Sequence, residues 1–147
     1  MRKFEVIKDY SDKGINIPRR ATLNSAGYDI ECAIDITINP GEIKMIPTGL
    51  KVIMPSDEAL FVYPRSSLGI KKGLVMSNAV GVVDSDYYNN PNNEGHLMIP
   101  LLNFSKEVVT ILKSERVAQG VFHKFLLTDD DHVTDIRTGG FGSSDKK

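Results

Sequence analysis

Residues 81–87, with the sequence GVVDSDY, join a short apolar run to an acid, a serine, a second acid and a tyrosine. The apolar run predicts a buried strand. The polar residues would then lie at the end of that strand, where loops on a rigid scaffold commonly carry chemistry. Asp84 could accept a proton while Tyr87, three residues later, covers a sugar or a base in the same pocket. A hairpin whose aspartates cap a turn is the simpler interpretation of this segment alone.

Three further segments carry groups suited to binding anions or a hydrated cation. Residues 64–69 place Arg65 and two serines where a strand ends and a helical turn begins, and the free N–H groups of a helix start bind anions. Arg65 could also grip phosphate oxygens through two hydrogen bonds. Asp29, which follows Gly27, could hold a hydrated metal near phosphates, and Gln119 could donate its amide to a phosphate. A cap, a surface charge and strand-edge polar residues are the structural alternatives.

Asn78 and residues 137–144 could recognise a base. The Asn78 amide offers both a donor and an acceptor, which suits the edge of a pyrimidine, although a turn asparagine is equally ordinary. Residues 137–144 (RTGGFGSS) predict a flexible arm that could fold over a ligand, with the Phe141 ring on a base and Arg137 on a phosphate. A disordered tail is the alternative.

The rest of the sequence predicts the strands that must position these groups. Short alternating segments end at proline or glycine and no long helical period is present, so we expect an all-β, jelly-roll-like barrel or a sandwich. One short helix is expected at about 66–72. A single domain is expected over 1–147, with about 134–147 as a mobile C-terminal arm. The polar loop 88–95 is expected to be a solvated tip.

Composition narrows the class of protein. The formal net charge of -1 gives no basis for binding long nucleic acid. No segment approaches the ~20 apolar residues that cross a bilayer, and no leader is evident, so we expect a cytoplasmic protein. The single cysteine, Cys32, is expected in the core. His96, His123 and His132 are widely spaced and predict no metal site.

The segments around Asp29, Arg65, Asp84 and Gln119 and residues 137–144, in this order, resemble the five motifs of the homotrimeric deoxyuridine triphosphatase (dUTPase) family. The resemblance runs from about residue 26 to 144 and implies a jelly-roll β-barrel whose three active sites lie at subunit interfaces, with the C-terminal arm of one subunit closing a site formed by others. The implied reaction is Mg²⁺-dependent hydrolysis of dUTP to dUMP and pyrophosphate. This would limit uracil incorporation into DNA and supply dUMP for thymidylate synthesis.

The resemblance also implies a role for each candidate residue. Asp84 would deprotonate the attacking water, and Asp29 would bind Mg²⁺ indirectly, through water, since the phosphates hold most of the metal's ligand positions. Tyr87 would pack on the deoxyribose. Asn78, Val82, Val83 and Met98 would contact the base, and Arg65, Ser66, Ser67 and Gln119 would contact the phosphates. From the C-terminal arm, Arg137 would contact a phosphate and Phe141 would stack on the base.

Two features depart from the family pattern. Only Thr138 separates Arg137 from the Gly-Gly-Phe-Gly sequence, and the 88–95 loop is long.

The sequence also allows two rival functions. A dCTP deaminase of the same fold would need a glutamate in the pocket, whereas the central segment carries Asp84. A trimeric barrel that only senses the nucleotide could bind a protein partner through the 88–95 loop, but the intact candidate residues favour the hydrolase.

Overall fold

Short strands that end at proline, glycine or polar turns make up most of the regular structure. The structure is a computed structural model, and it describes residues 1–142. The strands, in chain order, are β1 (Lys3–Val6), β2 (Arg19–Arg20), β3 (Tyr28–Glu31), β4 (Ile36–Ile38), β5 (Ile43–Pro47), β6 (Leu50–Ile53), β7 (Glu58–Pro64), β8 (Leu74–Met76), β9 (Gly81–Asp84), β10 (Met98–Asn103), β11 (Val109–Ile111) and β12 (Arg116–Lys124). Helix α1 spans Ser66–Lys72, and 3₁₀ helices span Lys8–Tyr10 and Ser85–Tyr87.

The strands form four antiparallel sheets, which confirms the predicted all-β, jelly-roll-like class. The largest sheet has the order β2-β3-β12-β7-β9, the next has the order β5-β10-β8, and β1-β6 and β11-β4 form pairs. Most partners are distant in sequence, so the hydrophobic core rather than local hairpins sets the pairing. No helix among residues 1–142 is long and apolar enough to span a membrane.

One apolar core joins the inner faces of the sheets. Ile30, Ile46, Leu60 and Leu101 are completely buried, and strands β3, β5, β7 and β10 contribute one each. Cys32 is also buried, as predicted, and burial raises the pKa of its thiol. The core therefore fixes the strands whose ends carry the candidate site residues.

The helix has the predicted bounds but a different N-cap residue. Pro64 ends β7, and Arg65, rather than Ser66, occupies the N-cap position with extended backbone angles. Its side chain does not cap the helix. Gly73, at the C-terminal end, has a φ of 67°, the left-handed conformation that glycine adopts at least cost. Residues 65–67 therefore form the sharp junction between a central strand and a helix.

Two predictions about exposure were wrong. Strand β9 is an edge strand of the described sheet, paired with β7 alone, so alternate side chains face outward and Val82 is 59% exposed rather than buried. The 88–95 loop is packed rather than solvated, because Asn90 and Gly95 are buried and the loop bonds to distant parts of the chain. Residues 134–142 of the predicted arm contain no helix or strand, and residues 143–147 lie outside the described part.

Candidate functional site

A cavity of about 320 Å³ lies between β9, β10 and the C-terminal arm; we call it the arm pocket. Its walls come from strand ends, the 3₁₀ helix after β9 and the arm itself. The lining residues include eight that the sequence singled out: Asn78, Val82, Val83, Asp84, Tyr87, Met98, Arg137 and the exposed Phe141. Residues far apart in sequence thus converge on one concave site, as is usual for small-molecule sites.

Asp84 ends β9 and presents a half-exposed carboxylate to the arm pocket. Arg137 donates from Nη2 to Asp84 Oδ2 and from Nε to Asp86 Oδ1, the latter at 2.7 Å. The hydrogen bond to Asp86, together with the charges of both acids, raises the pKa of Arg137, although partial burial opposes this. The arm is therefore fastened over the pocket by a cation held between two carboxylates.

Tyr87 lies on the 3₁₀ helix directly after Asp84 and is only 8% exposed. Its hydroxyl donates to the main-chain oxygen of His96 at 3.1 Å and accepts from Asn93 Nδ2 at 2.6 Å. Burial raises the pKa of Tyr87, so the hydroxyl keeps its proton at neutral pH. The Phe141 ring meets the Tyr87 ring edge-on, with 6.2 Å between centroids. The ring is thus a fixed wall beside the carboxylate.

The arm reaches Tyr87 because a glycine stands at the contact. A Cβ on Gly140 would lie 2.7 Å from Tyr87 Cε1, closer than side chains tolerate. On the opposite wall, Asn78 is exposed in the turn before β9, where Ala79 adopts a φ of 61°. The Asn78 amide faces the pocket together with Met98, which gives the site one polar amide among mostly apolar neighbours.

Three other candidate residues, Asp29, Arg65 and Gln119, form a separate group with Arg116, which the sequence did not single out; we call this group the arginine cluster. Asp29 Oδ1 lies 3.5 Å from Arg65 Nε, and Asp29 Oδ2 lies 3.3 Å from Arg116 Nη1. Gln119 pairs with Asp29 across strands β12 and β3 and donates from Nε2 to the Pro64 oxygen at 3.2 Å. Two guanidinium groups thus share one carboxylate and retain donors for another anion.

Gly27 makes the arginine cluster possible. A Cβ at this position would lie 2.5 Å from Gln119 Oε1, so the absence of a side chain lets the amide pack against the turn before β3. Ser67 and Arg65 also line a groove with Lys71 and Lys72 from α1. The surroundings are therefore rich in positive charge and suited to phosphate.

The structure does not bring the arm pocket and the arginine cluster together within one chain. Asp84 pairs with Ala59 near the start of β7, whereas Arg65 follows Pro64 at its end. The strand between Ala59 and Pro64 spans roughly 16 Å at about 3.3 Å per residue. Each group therefore lies beyond side-chain reach of the other.

Sequence reasoning missed Asn93 and His96, whose side-chain amide and main-chain oxygen bond the Tyr87 hydroxyl. His96 was assigned no role, yet it lines the arm pocket, its Nε2 accepts the Gly49 N–H at 2.9 Å, and its ring packs on Tyr10 at 5.2 Å. Burial lowers the pKa of His96, while Asp9 and Glu94 oppose the shift. Gly49 and Tyr10 lie far from His96 in the sequence, so no local pattern predicts these contacts. No cluster of three metal-ligating side chains occurs among residues 1–142.

Comparison with known proteins adds independent findings. The dUTPase family model matches residues 13–145. The chain is 56% identical over 146 residues to the deoxyuridine 5'-triphosphate nucleotidohydrolase of Lactococcus lactis subsp. lactis, covering 98% of this chain and 97% of that protein. It is 38% identical over 157 residues to the enzyme of the same name from Escherichia coli, with 100% of both chains covered.

Solved structures agree with the family match. The crystal structure of dUTPase from Streptococcus mutans is 48% identical and superposes with a TM-score of 0.83, covering 86% of this chain and 98% of that one. A mutant dUTPase from phage phi11 of S. aureus, which coordinates a structural Mg(II) ion, is 19% identical with a TM-score of 0.73, covering 92% and 97%. The second likeness concerns the fold alone.

Proposed function

The chain belongs to the dUTPase family and hydrolyses dUTP to dUMP and pyrophosphate, and we propose that the arm pocket holds the deoxyuridine part of the substrate. The observation that carries this proposal is the convergence of Asp84, Tyr87 and the arm in one cavity. The cavity, about 320 Å³, has the size of a small-molecule site. The family and these contacts favour the hydrolase over a deaminase or a nucleotide sensor.

Uracil fits the polar and apolar parts of the arm pocket. Asn78, with the main chain of Val82 and Val83, would bond the edge of the base, and Met98 would cover its face. Cytosine reverses the donor and acceptor at its position four, so the polar groups that a bound base shields from water would lose their partners. Phe141 at the rim would close on the base once the arm is seated.

The deoxyribose would lie against the Tyr87 ring. This ring is almost fully buried, and its hydroxyl is hydrogen bonded as donor and as acceptor. A ring pressed on C2′ leaves no room for a ribose hydroxyl. UTP is therefore expected to be a poor substrate, for steric rather than polar reasons.

Asp84 would act as the general base. Its carboxylate is half-exposed in the arm pocket, so a water molecule can reach it and lose a proton as it attacks the innermost phosphorus, with pyrophosphate as the leaving group. Arg137 holds this carboxylate in the structure. Phosphate oxygens offer the guanidinium stronger acceptors, so bound dUTP would draw Arg137 away and free Asp84 for the water.

The arginine cluster would bind the phosphate chain. Arg65 and Gln119 would supply donors, Ser66 and Ser67 would add the N–H groups at the start of α1, and two cationic side chains would neutralise developing charge. Because the cluster lies roughly 16 Å along the strand from Asp84, the two would meet across the interface of a homotrimer. Each active site would then combine the arm pocket of one copy with the arginine cluster of another.

Mg²⁺ would be held mainly by the substrate's phosphates. Asp29 already contacts two arginines, so it suits a hydrogen bond to a metal-bound water better than direct coordination. When bound, Mg²⁺ would neutralise phosphate charge. The chain's own contribution is to orient the phosphates beside the attacking water.

The cellular role follows from the reaction. Removal of dUTP limits uracil incorporation into DNA, and dUMP is the precursor for thymidylate synthesis. We place the enzyme in the cytoplasm with these nucleotide pools. A protein partner at the 88–95 loop remains a prediction.

The experiment that tests this proposal compares Asp84→Asn with Asp86→Asn. Both acids contact Arg137, but only Asp84 lines the arm pocket. We expect Asp84→Asn to reduce the turnover of dUTP by about 10²–10⁴-fold with little change in nucleotide affinity. Asp86→Asn should lose far less. Pyrophosphate release measures turnover, and near wild-type turnover by Asp84→Asn would overturn the assignment.

A further inference from the structure

The 88–95 loop returns to the arm pocket and packs against the residue that would hold the sugar. Gly95 has a φ of 79°, and a Cβ there would lie 2.5 Å from the main-chain oxygen of Tyr87. Asn90 is buried, and its side-chain oxygen accepts the N–H of Asn92 at 3.0 Å. The loop is therefore packed against Tyr87 rather than exposed to solvent along its length.

A nearly buried ammonium anchors this loop to the barrel. Lys51, on β6, donates from Nζ to Glu94 Oε2 at 2.6 Å and to Asn89 Oδ1 at 2.7 Å. Its side chain is 11% exposed, and the Tyr88 ring lies 4.9 Å from Nζ. Tyr88 in turn donates to Glu5 on β1 at 2.6 Å. These contacts fix both ends of the loop to β1 and β6, so residues between them are held in place.

Asn93 carries that rigidity to Tyr87. Its Oδ1 accepts the Gly95 N–H at 3.0 Å, which fixes the amide plane, and its Nδ2 donates to the Tyr87 hydroxyl at 2.6 Å. The hydroxyl donates onward to the His96 main-chain oxygen. The hydroxyl, which is the only polar group of the Tyr87 side chain, is thus hydrogen bonded on two sides. These bonds restrict movement of the ring.

We propose that Asn93 is a positioning residue that holds the Tyr87 ring in place and thereby sets the selection of deoxyribose over ribose. The inference rests on the proposed function, in which Tyr87 packs on the sugar. Steric exclusion of one hydroxyl works only if the excluding wall cannot move by about the size of that group. Without Asn93 the ring can shift, and the ribose hydroxyl can be accommodated.

The test measures kcat/KM for dUTP and for UTP in four proteins: wild type, Asn93→Ala, Tyr87→Phe and the double variant. We expect Asn93→Ala to raise the UTP-to-dUTP ratio of kcat/KM about tenfold. Tyr87→Phe removes the hydroxyl that Asn93 holds and should raise the ratio similarly. The double variant should match Tyr87→Phe, because two changes that break one interaction are not additive.

Asn92→Ala is the matched control, because Asn92 is an exposed neighbour in the same loop whose side chain bonds the Thr138 oxygen of the arm, at 3.5 Å, and not the Tyr87 hydroxyl. Any change in the arm that this variant causes affects both substrates alike. Its ratio should stay at the wild-type value. A ratio of two substrates on one preparation does not depend on the fraction folded, so loss of stability cannot imitate the effect. An unchanged ratio in Asn93→Ala, or additive effects in the double variant, overturns the inference. Active Asp84→Asn would instead overturn the proposed function.

Discussion

The arm pocket and the arginine cluster are attached to the same five-stranded sheet but are built in different ways. Irregular segments enclose the arm pocket: a 3₁₀ helix, the 88–95 loop and the arm. Neutral hydrogen bonds hold its main wall, Tyr87, which is 8% exposed. Regular strands carry the arginine cluster, whose ion pairs are open to solvent, with the Arg116 side chain 50% exposed. One region excludes the wrong shape, and the other gathers charge.

Each region lacks what the other has. The arm pocket contains a candidate base and mostly apolar walls, but its cation, Arg137, is occupied by two carboxylates. The arginine cluster has donors to spare but lines only a surface groove. A triphosphate needs an enclosed base and sugar as well as neutralised phosphates. The contrast is therefore what one expects if each active site takes one region from each of two copies.

The largest expected effect tests whether the two regions belong to different copies. Asp84→Asn impairs the arm pocket and Arg65→Ala impairs the arginine cluster, the latter with a loss of turnover of about 10–100-fold. When the two variants are unfolded together and reassembled at equal amounts, about a quarter of the sites in random oligomers combine two intact regions. Pyrophosphate release should then rise to about a quarter of the wild-type rate.

The control is a mixture of the same variants without reassembly, which should give only the average of the two residual rates. If both regions acted within one chain, reassembly would not rescue activity either. Absence of rescue with an intact oligomer would therefore break the comparison in its present form.

An intermediate effect should separate the regions by their glycines. Gly27→Ala pushes Gln119 aside and breaks its hydrogen bond to the Pro64 oxygen, so unfolding should need about 1 kcal/mol less. Thermal denaturation should show a fall of about 2–4 °C. Gly140→Ala clashes with Tyr87, but residues 134–142 contain no helix or strand, so the arm can move away. We expect little loss of stability there but a higher KM for dUTP.

Gly69→Ala is the control for these changes. Gly69 lies in α1, and a Cβ there meets its nearest atom, the Leu74 oxygen, at an ordinary 3.6 Å. Alanine is favoured in helices by about 1 kcal/mol, so this variant should be no less stable than wild type. If Gly27→Ala behaved like Gly69→Ala, the close approach of Gln119 would not matter.

The sequence predicted the elements better than their surroundings. Helix α1 has the predicted bounds because Pro64 and Gly73 mark its ends locally. Strand β7 is likewise marked locally, because Pro55 precedes it and Pro64 ends it. The sequence also predicted that Asp84 and Tyr87 share a pocket, because both lie in the short segment 81–87. These features depend on neighbours in sequence, which a single sequence displays.

The features that were missed depend on distant partners. The 88–95 loop is packed because Lys51 binds Glu94 and Asn89, which lie 43 and 38 residues away. Nothing in the polar composition of the loop reveals that partner. The exposure of β9 likewise follows from its place at the edge of a sheet. Whether β9 is covered in an oligomer depends on a second copy, which a local pattern does not describe.

The smallest expected effect concerns the titration of His96 behind the arm pocket. In the folded chain Nε2 accepts the Gly49 N–H, and burial lowers the pKa of the ring, with Asp9 and Glu94 partly offsetting this. The unfolded chain binds a proton near pH 6.5. Below about pH 6.5 the unfolded state therefore carries more protons, and stability falls as pH decreases. The contribution is complete above that pH.

We expect the melting temperature to fall by a few degrees between pH 7.5 and pH 5.5, through His96 more than through carboxylates, which titrate lower. His96→Gln should flatten this slope, because its amide oxygen can accept the Gly49 N–H but does not titrate. His132→Gln, at an exposed site, should leave the slope unchanged. If His96→Gln left the slope of melting temperature against pH unaltered, His96 would not be the group that makes stability depend on pH.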